Sequence, residues 1–208
     1  MQPFTRIQGI AAPLLRDNID TDTIIRVERL FNAVPRADLG LYCMESLRHL
    51  PDGSPDPEFF QNDARYHGAS ILLCGRNFGC GSAREGAVWA LAGMGIRCVI
   101  APTVADLFAA NCFQNGILAF TLEQTVIESL AAAVSTDPVN RQLVVDLQRF
   151  QVGPAGGKPT SFSIPPRRRE ALLEGFDEID LTLKHRARIE NYGSRDRKLR
   201  PWIYATDS

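Results

Sequence analysis

Cysteine and histidine are scarce in this sequence: five cysteines and three histidines among 208 residues. Cys43, Cys74, Cys80, Cys98 and Cys112 are odd in number and form no Cys-x-x-Cys pair. The chain alone therefore lacks an obvious zinc or iron–sulfur framework, and its thiols suit a reducing cytoplasm. His49, His67 and His185 stand far apart, without a partner at ligand spacing, and read as surface residues. Net charge is nearly absent too, at −1, so no global field draws the protein to nucleic acid or membrane. From Arg167 to Arg200 the basic residues are interleaved with Glu170, Glu174, Asp177, Glu178, Asp180, Glu190 and Asp196. That pattern is a solvated helical surface rather than a nucleic-acid arm. No apolar run is long enough to cross a bilayer. Met1 to Leu15 carries Pro3, Arg6 and Pro13 where a secretory leader needs unbroken apolar residues, so none is expected.

The apolar share of 45% is an ordinary globular one, and the length supports one substantial core. Ile7 to Leu15 has strand character, and Leu39 to Leu50 reads as a short helix. His49 to Asp63, rich in Pro, Asp and Gly, reads as a loop. Ser70–Cys74 and Arg97–Ala101 read as buried strands, with helices over Ala83–Gly95 and Thr103–Phe113. A further strand covers Ile117–Phe120 and a further helix Glu123–Ser135. Gln142–Val152 and Thr160–Ile164 form a hairpin around Pro154-Ala155-Gly156-Gly157. Helices are expected at Pro165–Gly175 and Leu183–Asn191, with a loose tail beyond about 192. Strands alternating with helices imply an α/β fold with a parallel or mixed sheet and helices packed on it. No repeat or linker divides the chain, so residues 1–208 are expected to form one domain.

The most informative stretch is Gly75-Arg76-Asn77-Phe78-Gly79-Cys80-Gly81-Ser82-Ala83-Arg84-Glu85. A glycine-rich turn between a buried strand and a helix start gathers backbone N–H groups around a small space that favours negative charge. Ser82, Arg84 and Glu85 add a hydroxyl, a permanent cation and a carboxylate there. Ser82 to Glu85 also fits a capping box, with Ser as N-cap and Glu at the third helical position. A dinucleotide turn would need glycine at Arg84, and a phosphate loop would need lysine at Gly81, so both fail on specific residues. Spacing alone leaves an anion site and a capped turn both open. The acidic turn Asp17 to Asp22 lacks the glycine and distal glutamate of a calcium loop and reads as an Asx-capped turn. Cys80 lies among glycines near a helix start, but without a histidine base it is a poor candidate nucleophile.

With these motifs in place, the chain resembles the small subunit of 3-isopropylmalate dehydratase, the counterpart of the swivelling domain of aconitase. The resemblance runs through Asp17-Asn18-Ile19-Asp20-Thr21-Asp22 with Ile24-Ile25, then Gly68-Ala69-Ser70-Ile71-Leu72. It continues through Asn77-Phe78-Gly79-Cys80-Gly81-Ser82, Arg84-Glu85 and Trp89-Ala90-Leu91. Val99-Ile100-Ala101-Pro102, Ala105-Asp106, Phe113-Gln114-Asn115-Gly116 and Ile179-Asp180-Leu181-Thr182-Leu183 follow in order.

The resemblance implies a single swivelling β/β/α domain of the aconitase C-terminal type. It implies a hydro-lyase subunit of leucine biosynthesis, active only with a large partner subunit that carries a [4Fe–4S] cluster. This chain itself would bind no cofactor, and the substrate would be a small dicarboxylic 2-hydroxy acid. By the same resemblance Ser82 is the base, Arg84 grips a substrate carboxylate, and Asp22 is an acidic active-site residue. Gly81 and Ala83 line the substrate, and Arg36 meets the distal carboxylate. The chain departs from the family's usual residues at Ala83 (commonly Ser), Gly86 (His), Val88 (Pro) and Arg26 (Pro). Those departures keep the reaction class and leave the substrate open: isopropylmalate, or another 2-hydroxy diacid such as citramalate or an arylmethyl-malate. A non-catalytic binding paralogue is the remaining alternative, and the retained Ser82 and Arg84 argue against it.

Overall fold

The computed structural model describes residues 1–31 and 34–204. In chain order the elements are β1 (Arg6–Gly9), β2 (Ala11–Leu14), α1 (Thr21–Ile24), α2 (Val27–Phe31), β3 (Ile71–Cys74), α3 (Glu85–Gly93), β4 (Cys98–Ala101) and α4 (Asp106–Gln114). There follow β5 (Leu118–Thr121), α5 (Gln124–Ser135), β6 (Leu143–Asp146), β7 (Gln151–Pro154), β8 (Thr160–Ser161), α6 (Pro166–Glu174), α7 (Glu178–Leu183) and α8 (Arg186–Leu199). Parallel and antiparallel pairing are divided between two sheets. One is parallel, in the order β2-β3-β4-β5; the other is antiparallel, in the order β1-β6-β7-β8.

The alternation of side chains along each strand fixes the layers. On the parallel sheet Ala12, Leu14, Leu72, Cys74, Val99, Ala101 and Ala119 face one core, shared with Ala87, Leu91 and Phe108 of α3 and α4. Ala11, Ile71, Leu73, Cys98, Ile100, Leu118 and Phe120 face the other, shared with Ile127, Leu130 and Val134 of α5. Leu143, Val145 and Val152 of the antiparallel sheet enter that second core. Parallel strands covered on both faces read as unbroken apolar runs, which is why Ser70–Cys74 and Arg97–Ala101 were legible as buried strands.

Several expected elements differ. Ile7–Leu15 is two strands: it changes sheets at Ile10, its first half pairing with β6 and its second with β3. Leu39–Leu50 is not an α-helix but two 3₁₀ segments, Arg36–Tyr42 and Glu45–Leu47, broken at Met44 with φ of 55°. Gln142–Val152 is itself a hairpin, β6 to β7, reversing near Phe150 with φ of 55°, so the region is a meander rather than one long hairpin. Leu183–Asn191 is the end of α7 and the start of α8, and α8 continues to Leu199, where a loose tail was expected. Residues 205–208 of that tail lie outside the described residues. No described helix is long and apolar enough to cross a membrane.

Candidate active site

The loop after β3 and the loop after β2 run side by side at the C-terminal edge of the parallel sheet. This is the edge at which open α/β sheets place ligands. Asn18 N donates to Arg76 O at 2.8 Å, Gly79 N to Ile19 O at 2.7 Å, and Thr21 N to Cys80 O at 2.9 Å. Side chains lock the pair further. Asp17 accepts from the Arg76 amide at 2.7 Å, Asn77 Nδ2 donates to Asn18 at 2.9 Å, and Thr103 Oγ1 accepts from the Asn77 amide at 2.7 Å. The acidic turn is thus an Asx-rich turn, as its sequence suggests. Asp20 caps α1 by accepting from Thr23 N at 2.7 Å.

Two glycines shape the turn for different reasons. At Gly79, φ is +73° and a Cβ would stand 2.2 Å from the Phe108 ring, so the backbone lies directly on α4. At Gly81, φ is +87° and a Cβ would meet only ordinary contacts, Asp20 Cβ at 3.5 Å and Thr21 Oγ1 at 3.7 Å, so glycine serves conformation there rather than space.

Ser82 does not cap the helix. α3 begins at Glu85 with Arg84 at the N-cap position, and no side chain caps it. The reason lies in the partners that the turn finds outside the helix. Ser82 O accepts from Thr21 Oγ1 at 3.0 Å and from the Arg84 amide at 2.8 Å, which holds residues 82–84 out of helical geometry. Glu85 does not reach back to Ser82 either. It accepts from Asn115 Nδ2 at 2.8 Å. Ser82 Oγ is thereby left exposed at the mouth of the turn rather than spent on a cap.

Three of the expected site residues converge. Both terminal nitrogens of Arg84 donate to the carboxylate of Asp22, Nη2 to Oδ2 at 3.0 Å, and Nη2 also donates to Ser82 Oγ at 3.2 Å. The bond to Asp22 raises the Arg84 guanidinium above its ordinary value. Asp20 is held below the ordinary aspartate value, first by hydrogen bonding from Thr23 and also by the charge of Arg84. Gly81, Ser82, Ala83 and Asp22 are exposed, and Arg84 is half-buried, so the cluster forms an open rim. Arg36 stands apart. Its guanidinium lies 4.5 Å over the Trp89 ring on α3 and donates to Asn115 Oδ1, so Asn115 links it to Glu85. In the sequence Asn115 belongs to the Phe113-Gln114-Asn115-Gly116 motif, and nothing local announces that it joins Arg36 to the start of α3.

Four of the five thiols stand apart from this cluster, and Cys80 lies part-exposed in the turn. Cys43, Cys74, Cys98 and Cys112 are buried. Burial pushes the Cys43 thiol up to about 12 and raises the other three well above the ordinary thiol value. Among the described residues no three His, Cys, Asp or Glu side chains gather as a metal site.

Residues 1–125 match the model of the aconitase C-terminal domain. The chain is 45% identical to the 3-isopropylmalate dehydratase small subunit of Rhodospirillum centenum, over 97% of this chain and 98% of that protein. It is likewise 45% identical to the protein of the same name from Cupriavidus necator, over 98% and 99%. The crystal structure of a 3-isopropylmalate dehydratase from Methanocaldococcus jannaschii shares the fold, with a TM-score of 0.62 over 90% of this chain and 99% of that one, at 24% identity. By extent and degree of identity, the chain belongs to the aconitase C-terminal domain family, among the 3-isopropylmalate dehydratase small subunits.

Proposed function

We propose that this chain interconverts 2-isopropylmalate and 3-isopropylmalate by dehydration and rehydration in leucine biosynthesis, as the small subunit of a two-subunit cytoplasmic hydro-lyase. The observation that carries this reading is the exposed junction of Ser82, Arg84 and Asp22, a hydroxyl and a guanidinium 3.2 Å apart on a rim open to one side. A rim so open needs a second surface to exclude water, which fits a large partner subunit. Residues 1–208 act as one swivelling unit; in support, the core beneath the parallel sheet is the one that the antiparallel sheet covers.

The reaction calls for a Lewis acid at the substrate hydroxyl, which a [4Fe–4S] cluster with an open iron supplies when bound. The donor set of this chain does not fit the holding of such a cluster, since four of its thiols are buried in the core. We place the cluster on the large subunit. The task of this chain is the proton and the carboxylates. Ser82 Oγ, as alkoxide, takes the proton from the carbon beside a carboxylate and returns it on rehydration. Serine is a weak base in water, and the Arg84 Nη2–H aimed at Oγ favours its anion. Asp22 and Ser82 engage three of the five N–H groups of Arg84, leaving two for a substrate carboxylate. Asp22 holds the guanidinium toward Ser82. Gly81 sets the turn, Ala83 lies on the rim, and Arg36, at the flank of α3, meets the distal carboxylate.

A second reading keeps the chemistry and changes the substrate, and one observation favours it. A Cβ on Gly86 would stand 2.6 Å from Leu30 Cδ2, so Leu30 of α2 occupies the space beside the start of α3. Leu30 thus fills, with an apolar side chain, the space beside a position where the family commonly has histidine. The experiment is an anaerobic assay of the chain with its cognate large subunit against a panel of substituted malates. Highest kcat/KM for 2-isopropylmalate supports the first reading, and a preference for citramalate or an arylmethyl-malate supports the second. No turnover of any malate by an intact complex refutes both.

A further inference from the structure

We infer that Thr21 is a positioning residue for Ser82, its buried hydroxyl clamping the carbonyl of the catalytic turn. The inference rests on the role proposed above for Ser82. Thr21 is the first residue of α1 and is 1% exposed, one of few polar side chains within the core. Its amide donates to Cys80 O at 2.9 Å and its Oγ1 to Ser82 O at 3.0 Å. The two bonds fall on either side of Gly81, whose φ of +87° is a conformation that glycine enters and leaves at little cost. With the Arg84 amide also on Ser82 O, both acceptor directions of that carbonyl are filled and the orientation of residue 82 is set. Asp22, the next residue of α1, fixes Arg84. One short helical turn therefore holds both the base and the cation that stabilises its anion, each through its own bond.

Packing alone does not call for threonine here. Valine has nearly the same volume and would avoid burying a hydroxyl, a group that costs stability unless it is bonded. A hydroxyl at this place is accounted for by what it holds. Misplacing a reacting group by an ångström can lower a rate by about a hundredfold.

The test uses the complex with the cognate large subunit and compares Thr21→Val, Thr21→Ser and Ser82→Ala. Thr21→Val is expected to lower kcat about tenfold to a hundredfold with KM nearly unchanged, because the substrate contacts of Arg84 persist. Thr21→Ser, which loses a buried methyl but keeps the hydroxyl, is expected to retain most of the wild-type kcat at a lower Tm. That crossed pattern is one that a purely structural threonine would not give. Wild-type kcat in Thr21→Val overturns the inference, as does an equal loss of kcat in both variants. Should Thr21→Val fail to assemble, Thr21→Ala against Thr21→Ser makes the same comparison. An inactive Ser82→Ala beside a fully active Thr21→Val sinks the inference alone, whereas an active Ser82→Ala sinks the role of Ser82 and this inference with it.

Discussion

At Ser82 a turn serine that could cap a helix leaves its hydroxyl uncommitted to the helix, because the turn finds its partners elsewhere. Its Oγ is exposed and bonded by Arg84 rather than by the amides of α3. Ser82→Ala should therefore cost little stability, well under the roughly 1 kcal/mol of a lost N-cap. In the assembled enzyme it should lower turnover by about a hundredfold to ten-thousandfold, the usual worth of a positioned base. Thermal melts and kcat of the same preparation check both halves, and a large melting shift with normal turnover would return Ser82 to a structural role. Asp20 is the residue that does cap. Its folded value lies below the ordinary 3.8 because Thr23 bonds the carboxylate. Its contribution is thus full above that ordinary value and is lost as pH falls through the folded one. Asp20→Ala should cost about 1 kcal/mol at pH 7, and the gap from wild type should close in denaturation curves taken progressively below about pH 4. A gap that stays constant with pH would mean that the charged carboxylate is not what stabilises α1.

Among the elements, α4 sets the backbone of the glycine-rich turn. Phe108 of α4 lies beneath Gly79 and meets Phe78 edge to face at 5.5 Å, so two buried rings anchor the loop from below. Gly79→Ala must both enter a left-handed backbone and displace the Phe108 ring. Strain and overpacking together should cost about 2–4 kcal/mol. Chemical denaturation of the single chain measures this, and Phe108→Leu in the same background should recover part of the loss by vacating ring volume. Full recovery would show that the left-handed conformation carries no cost there. No recovery would show that the ring is not the obstacle.

Over the whole molecule, stability is unevenly distributed. The parallel sheet is covered on both faces, whereas α8 is almost wholly exposed. Its one buried residue, Asp196, is bonded by Arg200 and Tyr204 of the same segment rather than by the body of the protein. Removing residues 186–208 should accordingly change the unfolding free energy by less than about 1 kcal/mol, since little apolar area leaves the core. Equilibrium urea unfolding of the truncated and full chains checks this. A larger loss would mean that the segment packs on the body in solution.

Local sequence determined much of this protein. Unbroken apolar runs announced the buried parallel strands, because strands covered on both faces need no alternation. Gly79-Cys80-Gly81-Ser82 and Arg84 announced the turn, because few residues tolerate its backbone and its charge. Ser82, Arg84 and Asp22 were legible as a set through resemblance, and the tertiary structure brings them into one bonded cluster. What sequence could not decide were the competitions between local and distant partners. Ser82 to Glu85 satisfies every local rule for a capping box, yet Thr21, sixty-one positions away, takes the Ser82 carbonyl, and Asn115 takes the Glu85 carboxylate. Ile7–Leu15 has strand character without a visible break, yet each half pairs in a different sheet. A hydrogen bond is indifferent to separation along the chain once the fold has met the entropy of closing the loop. The local pattern therefore proposes partners, and only the packed structure chooses among them.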